Sequence, residues 1–304
     1  MRRLLLVCAV LLIGGFVAAR FVLRPVAAAP ESTVAAAGGM THDLPDAEAD
    51  DTLLYLRPGD STGLARTRGA LTLALEDASG PSDVDALSGR WHLRFTVGGQ
   101  PPVTRTVTGY AITGANLVQL DADPRYEALV LTYTGGAHCC TTYHVYDEAE
   151  GAWRTDSVEA GSFPFELQDL DGDGSAELVS EDPRFEYAFG SFADSRGSSR
   201  IVALRDGRLQ DVTTEPQFHA DLEAHRDQLR AALPEAEGDP DAQRGLLGAL
   251  AAQHALLGDA QAGFTLAVRT YVHADQGEFL DTLRVFLVEN GFITRTEAQA
   301  LRAE

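Results

Sequence analysis

Short apolar runs separated by turn residues fill residues 52–212, and this pattern constrains the fold more than any other feature of the chain. Gly, Asp, Pro or Ser bounds each run, which is typical of β-strands joined by tight turns. Asp206-Gly207 and Glu150-Gly151 are typical of hairpin turns. The runs include residues 53–56, 71–75, 91–95, 103–107, 128–133, 141–146 and 200–204. The stretch predicts roughly ten or more strands, mostly antiparallel.

The pattern changes to a helical one from Glu215 to the end of the chain. Asp239 followed by Pro240 is a typical helix start, because Asp caps free backbone amides and Pro suits the first turn. Gly258 and Gly291 are typical helix stops. Apolar residues at helical spacing predict four helices; they include Phe218, Leu222, Leu229, Leu233, Leu246, Leu250, Phe264, Val268, Phe279, Leu283 and Leu287.

We therefore predict a mainly β fold followed by an α-helical C-terminal region. The antiparallel strands are expected to form either propeller-like blades or an open β-sandwich. The predicted organisation is a signal peptide or N-terminal anchor at 1–25, a flexible linker at 26–51, a β domain at 52–214 and a helical region at 215–304.

The first residues are typical of an export signal. Arg2 and Arg3 precede an uncharged apolar run at 4–19, and Ala-rich sequence follows. A basic start, a short apolar segment and small residues define a secretory signal peptide, although an uncleaved anchor fits the same pattern. Both interpretations predict an exported protein, periplasmic or secreted, that is anchored if this segment stays attached.

Charge restricts the classes of partner. The formal net charge is −21, and every basic residue is Arg. Such a body repels phosphate backbones and anionic lipid surfaces. We therefore expect no nucleic-acid partner and no membrane contact beyond the N-terminal segment. A protein or a glycan remains as the expected partner, and the oligomeric state is left open.

Residues 169–177 carry the most specific chemical signal. Asp169, Asp171 and Asp173 alternate, Gly174 follows, and Glu177 ends the pattern. Ca²⁺ binds six to eight oxygen atoms, and alternating Asp residues on a tight loop direct several carboxylates into one hollow. The backbone carbonyl of Ser175 is a further expected ligand. The sequence predicts a Ca²⁺ site formed by Asp169, Asp171, Asp173, Ser175 and Glu177, although an acidic surface turn is the simpler alternative.

This loop resembles the FG-GAP or VCBS repeat, D-x-D-x-D-G-x-x-E-L between strands. It differs from an EF-hand loop because Ser180 stands where a bidentate Glu is needed and because strand-like sequence flanks it. The resemblance implies blades of the kind found in integrin-α-like β-propellers of exported proteins, with Ca²⁺ in the loops. It covers about residues 116–213.

A second, weaker copy lies fifty residues upstream. Asp121, Asp123 and Glu127 align with Asp171, Asp173 and Glu177. Gln119 replaces Asp169 and Pro124 replaces Gly174, so the ligand set and the turn are both altered. We predict a weak metal site at this second loop or none.

The segment containing His138, Cys139, Cys140 and His144 is unusual in composition. Three interpretations stay open. The cysteines are small core residues after a Gly turn, or they form a strained vicinal disulfide, or His and Cys together hold Zn²⁺ or Cu⁺.

No common hydrolase or nucleotide-binding motif is present, so we predict a non-enzymatic, Ca²⁺-stabilised binding or structural module. The alternatives are a thiol- or metal-dependent enzyme centred on the His-Cys-Cys segment and a membrane-tethered scaffold that uses the helical tail. The aromatic cluster Phe185, Tyr187, Phe189 and Phe192 is compatible with a ligand groove, but the spacing of two over 185–189 favours the buried face of one further strand.

Overall fold

The structure is a computed structural model that describes residues 57, 64–79, 89–137, 140–149 and 151–301. The predicted signal peptide or anchor at 1–25, the linker at 26–51 and the strand at 53–56 lie outside these residues. The same is true of His138 and Cys139.

Twelve strands in the described residues form three antiparallel sheets of four strands, and in each sheet the strands pair in chain order. The first sheet contains β1 (Ala65–Arg68), β2 (Leu71–Asp77), β3 (Gly89–Val97) and β4 (Val103–Gly109). The second contains β5 (Ala111–Val118), β6 (Glu127–Tyr133), β7 (Thr141–Ala149) and β8 (Ala152–Gly161). The third contains β9 (Glu166–Gln168), β10 (Glu177–Glu181), β11 (Ser199–Arg205) and β12 (Arg208–Asp211).

The predicted turn chemistry explains the tight hairpins. Asp206 and Gly207 join β11 to β12 with φ angles of 52° and 69°. Two residues with positive φ match the right-handed twist of the strands they join, which is why Asp-Gly is favoured there. Gly151 precedes β8 with φ of 81°.

The three sheets stack face to face through shared cores. Alternate residues of β2 and β3 pack against one face of the second sheet, where Trp91, Phe95 and Ile112 are fully enclosed. The opposite face of the second sheet packs on the third through Leu129, Val145 and Leu178, among others. Both faces of β6 in the second sheet are therefore buried, and its consecutive apolar residues reflect this.

Five α-helices follow in the described residues: α1 (His219–Ala232), α2 (Pro240–Leu256), α3 (Ala260–Thr270), α4 (Gln276–Glu289) and α5 (Arg295–Ala300). The Asp239 side chain accepts hydrogen bonds from the amides of Asp241 and Ala242 and so caps α2. Phe218 and Leu222 cover the outer face of the third sheet at Ile201 and Ala203. The remaining helices enclose a separate apolar core around α2. The predicted fold class, mainly antiparallel β followed by an α-helical region, is confirmed.

The strand predicted over Phe185, Tyr187 and Phe189 is wrong. The connection from β10 to β11 contains 3₁₀ turns at Pro183–Phe185 and Phe192–Asp194 instead. Tyr187 adopts a φ of 57° and is 55% exposed. Phe185 and Phe189 are buried against the helical core. The spacing of two was misleading because Phe185 and Phe189 reach the same core from a turn, while Tyr187 between them points to solvent.

None of the helices in the described part of the chain combines the length and hydropathy that a bilayer span requires.

Candidate metal centre

The acidic loop at 169–177 connects β9 to β10, the first two strands of the third sheet. One carboxylate oxygen from each of Asp169, Asp171 and Asp173 lies within 4.8 Å of the other two. The three predicted ligands therefore converge on a common point. Glu177 and Ser175 are not part of this group of three.

Backbone amides hold the loop closed around Asp169. Its Oδ1 accepts from the amide of Gly172 at 2.8 Å, and its Oδ2 accepts from the amide of Gly174 at 3.0 Å. Gly174 has a φ of 94°, which an L side chain rarely adopts, so glycine is needed there. The amide of Ser175 donates to Asp173 Oδ1 at 2.7 Å. The loop shape thus depends on these carboxylates as acceptors.

Glu177 begins β10 and is almost completely buried at 4% exposure. Its Oε2 accepts from the amide of Leu170 at 2.9 Å, which ties the end of the loop to its start. Burial raises the pKa of Glu177 to about 7, and the charges of Asp171, Asp173 and Asp169 add to the rise. A cation beside this carboxylate would favour its ionised form.

The upstream loop between β5 and β6 repeats these hydrogen bonds at an offset of fifty residues. The amide of Asp123 donates to Asp121 Oδ1 at 2.9 Å, as that of Asp173 does to Asp171 Oδ1 at 3.2 Å. The amide of Leu120 donates to Glu127 Oε2 at 2.6 Å, which matches the bond to Glu177. The two loops therefore share this hydrogen-bond pattern, and each lies between the first two strands of a sheet.

The two substitutions in the upstream loop compensate each other. Where Asp169 accepts the amide of Gly174, Gln119 has no carboxylate and Pro124 has no amide hydrogen to offer. Gln119 instead donates from Nε2 to the carbonyls of Asp121, at 2.7 Å, and of Asp123. An amide that donates to the loop thus replaces a carboxylate that accepts from it.

Asp123 is engaged by Arg125 rather than by its acidic neighbours. The Arg125 guanidinium donates to Asp123 Oδ2 from Nε at 3.1 Å and from Nη2 at 2.5 Å. This pairing lowers the pKa of Asp123. The convergent group at the upstream loop consists of Asp121, Glu127 and Asp147, with their oxygens within 4.8 Å of one another.

Sequence reasoning missed Asp147, which comes from β7 and is 3% exposed. Only the pairing of β7 with β6 brings it to the loop. The one local signal for it was an acidic residue directly after the apolar run at 143–146.

The His-Cys-Cys hypothesis stays a prediction, because two of its four residues lie outside the described part of the chain. Cys140 is disulfide-bonded. His144 Nε2 lies 2.9 Å from the hydroxyl oxygen of Thr132 on the neighbouring strand, and burial lowers the pKa of His144.

A relative from Synechocystis sp., named as a probable thylakoid lumen protein, is 30% identical to this chain over 232 residues. The match covers 67% of this chain and 68% of that protein. An uncharacterised protein of Sinorhizobium fredii, y4bJ, is 31% identical over 163 residues. That match covers 51% of this chain and a quarter of the longer protein, 25%.

No protein-family profile matches the chain. No solved structure matches it either.

Proposed function

This chain belongs to the same family as the probable thylakoid lumen protein sll0997 of Synechocystis sp.. We propose that this chain is an exported, non-enzymatic binding or structural module and that Ca²⁺ at the loop 169–177 stabilises its fold. The FG-GAP or VCBS resemblance is part of this proposal.

Two independent observations support export. The basic start and short apolar run of the sequence are typical of a signal peptide or an anchor. The relative's name assigns it to a lumen, which is a compartment outside the cytoplasm. Within this proposal, the chain is periplasmic or secreted, or is held at the membrane by its N-terminal segment.

The observation that carries the Ca²⁺ site is the convergence of Asp169, Asp171 and Asp173. Three carboxylates at this separation repel one another, and a divalent cation removes the repulsion. Asp171 and Asp173 each use one oxygen for a loop amide and Asp169 uses both, and all three keep further lone pairs for a metal. The Ser175 carbonyl, Glu177 and water complete a shell of six to eight oxygens.

Ca²⁺ has a structural role in this proposal. The loop joins the first two strands of the third sheet, so a bound cation holds that corner of the sheet in one shape. Exposed sites of extracellular modules bind weakly, with Kd on the order of 10⁻⁴–10⁻³ M. A rigid, acidic surface of this kind suits a protein or glycan partner and disfavours nucleic acid.

The test is thermal unfolding of the protein purified after export, in EDTA and in CaCl₂. At a Ca²⁺ concentration ten- to twentyfold above Kd, one site stabilises the fold by about 1–2 kcal/mol. We expect Asp171→Asn to remove much of the cation-dependent rise in Tm. The exposed Glu289→Gln, which also removes one negative charge, should leave the rise intact. A full rise in Asp171→Asn would overturn the site.

A further inference from the structure

Glu127 is a buried carboxyl with an unmet hydrogen-bonding requirement. Its side chain is 1% exposed. Its Oε2 accepts from the Leu120 amide at 2.6 Å, whereas its Oε1 is buried without a hydrogen-bond partner. A buried polar atom without a partner destabilises the folded state. The same carboxyl group converges with those of Asp121 and Asp147, and one oxygen of each lies within 4.8 Å of the other two.

Strand pairing places a second buried acid opposite this one. Ala128 pairs with Tyr146, and the strands are antiparallel, so Glu127 and Asp147 face each other one position further along. Both are buried. Like charges directly across a ladder destabilise it. Asp121 adds a third carboxylate from the loop.

Arg125 and Arg154 attract Asp147 from a distance but make their direct contacts with other groups. Arg125 binds Asp123 and lies 3.5 Å from Glu148 Oε2. Arg154 donates to the carbonyl of Asp206 at 2.7 Å. Among the residues that the structure describes, no Arg or His forms an ion pair within 4.0 Å with Asp121, Glu127 or Asp147. Within that part of the chain, the three carboxylates therefore lack a counter-charge in direct contact.

We propose that Asp121, Glu127 and Asp147 form a second site for a hard divalent cation, separate from the loop 169–177. The donor set consists of oxygen alone, which suits Ca²⁺, Mg²⁺ or Mn²⁺ and disfavours softer metals. The unpartnered Oε1 of Glu127 is its central ligand. Asp123, although it belongs to the sequence repeat, takes no part.

The third sheet cannot form this type of site. Leu178 pairs with Val202, so the residue opposite Glu177 is Ala203. Ala203 occupies the position of Asp147, while Gln119 occupies that of Asp169. Each site therefore lacks one carboxylate that the other has. The third sheet has Asp169, which lies in the loop, and the second sheet has Asp147, which lies on β7.

The second site lies where two sheets meet. A Cβ atom built on Gly207, in the β11–β12 hairpin, would come within 3.0 Å of Asp147 Oδ2. A cation held by Asp147 thus joins the β5–β6 loop to β7 directly beside the third sheet. Its binding stabilises the contact between the two sheets as well as one loop.

The experiment isolates this site by first removing the other one. The protein purified after export carries Asp169→Asn and Asp171→Asn, and calorimetric titration with CaCl₂ measures what remains. We expect one site. Adding Asp147→Asn should weaken it by about tenfold or more, because a charged ligand is lost. Adding Asp123→Asn, which also removes one negative charge but from the adjacent β5–β6 loop, should change the affinity by less than about twofold.

Two results would overturn the second site. One is the absence of any binding heat and any Ca²⁺-dependent Tm shift in the double variant. The other is an unchanged affinity after Asp147→Asn. Circular dichroism checks folding, and Glu127→Gln serves if Asp147→Asn does not fold. Because the proposed function rests on the loop 169–177, its failure appears separately, as unchanged binding when Asp169 and Asp171 are replaced.

Discussion

Glu127 and Glu177 occupy the same position in the two loops, and each begins the second strand of its sheet. Each accepts the amide of the residue seven positions earlier, so each carboxyl closes its own loop. Burial, with nearby aspartates, raises the pKa of Glu127 to about 8 and that of Glu177 to about 7. Without a cation, ionisation of either group therefore opposes folding.

Glu127 should make the cation-free protein less stable as pH rises. Its folded pKa lies above the unfolded value of 4.5, so the folded state binds more protons between about pH 4.5 and 8. Stability from this group is complete below that window and is lost as pH rises through it. Each pKa unit corresponds to about 1.4 kcal/mol. We expect wild type to lose up to about 4 kcal/mol more than Glu127→Gln between pH 5 and 8.

Urea unfolding in EDTA at pH 5, 6, 7 and 8 measures this difference. Burying an amide in Glu127→Gln lowers the free energy of unfolding by the same amount at every pH. The comparison therefore uses the slope of the free energy of unfolding against pH, which this constant cost does not change. Parallel curves for wild type and variant would contradict the assignment of the pH dependence to Glu127.

At the scale of elements, α2 is the centre of the helical region. Small residues let neighbours approach it closely. A Cβ built on Gly245 would overlap the backbone carbonyl oxygen of Asp194, and one on Gly248 would overlap the Phe189 ring. The connection between β10 and β11 therefore rests directly on the helix surface.

Gly245→Ala should destabilise the protein by about 2 kcal/mol or more, because backbone must move to admit the methyl group. Gly277→Ala is the matched control. Gly277 is also helical, in α4, and nothing lies within 4 Å of the point where its methyl group would stand, so this change should stabilise the protein by about 0.4–1 kcal/mol. Chemical denaturation of both variants measures the difference. A loss below about 0.5 kcal/mol for Gly245→Ala would contradict the close contact.

At the scale of the whole molecule, the net charge of −21 affects stability through repulsion over the entire surface, in addition to repulsion within each carboxylate cluster. Self-repulsion of a highly charged protein disfavours the compact state, and salt screens this repulsion. Screening acts on the whole surface, whereas a bound cation acts at its own carboxylates. The two effects can therefore be separated by concentration and by mutation.

We expect NaCl near 0.5 M, in EDTA, to raise the Tm of wild type and of the combined variant Asp171→Asn with Asp147→Asn by similar amounts. Millimolar CaCl₂, added at constant ionic strength, should raise the Tm of wild type but not that of the combined variant. Thermal scans monitored by circular dichroism compare both proteins in EDTA alone, with NaCl and with CaCl₂. An equal response to CaCl₂ in both proteins would reduce the Ca²⁺ effect to general screening.

Much of the local structure was predictable from the chain. Asp239-Pro240 starts α2, Asp206-Gly207 turns the last hairpin, and Gly291 follows α4, each because of its own backbone chemistry. The convergence of Asp169, Asp171 and Asp173 was predictable for the same reason, since all three lie on one short loop. Asp147 was not, because it reaches the upstream loop only through the register between β6 and β7.

By itself, the sequence determined most of the strands, turns and helices and which loop gathers its own carboxylates, because hydrogen bonds and φ preferences act over a few residues. Only the tertiary structure decided that the three sheets share cores and that Asp147 joins Glu127. It also decided that Asp123 pairs with Arg125 and that Tyr187 leaves the core. These outcomes depend on strand register and on packing between segments that are far apart in the sequence. No local sequence pattern specifies either of them.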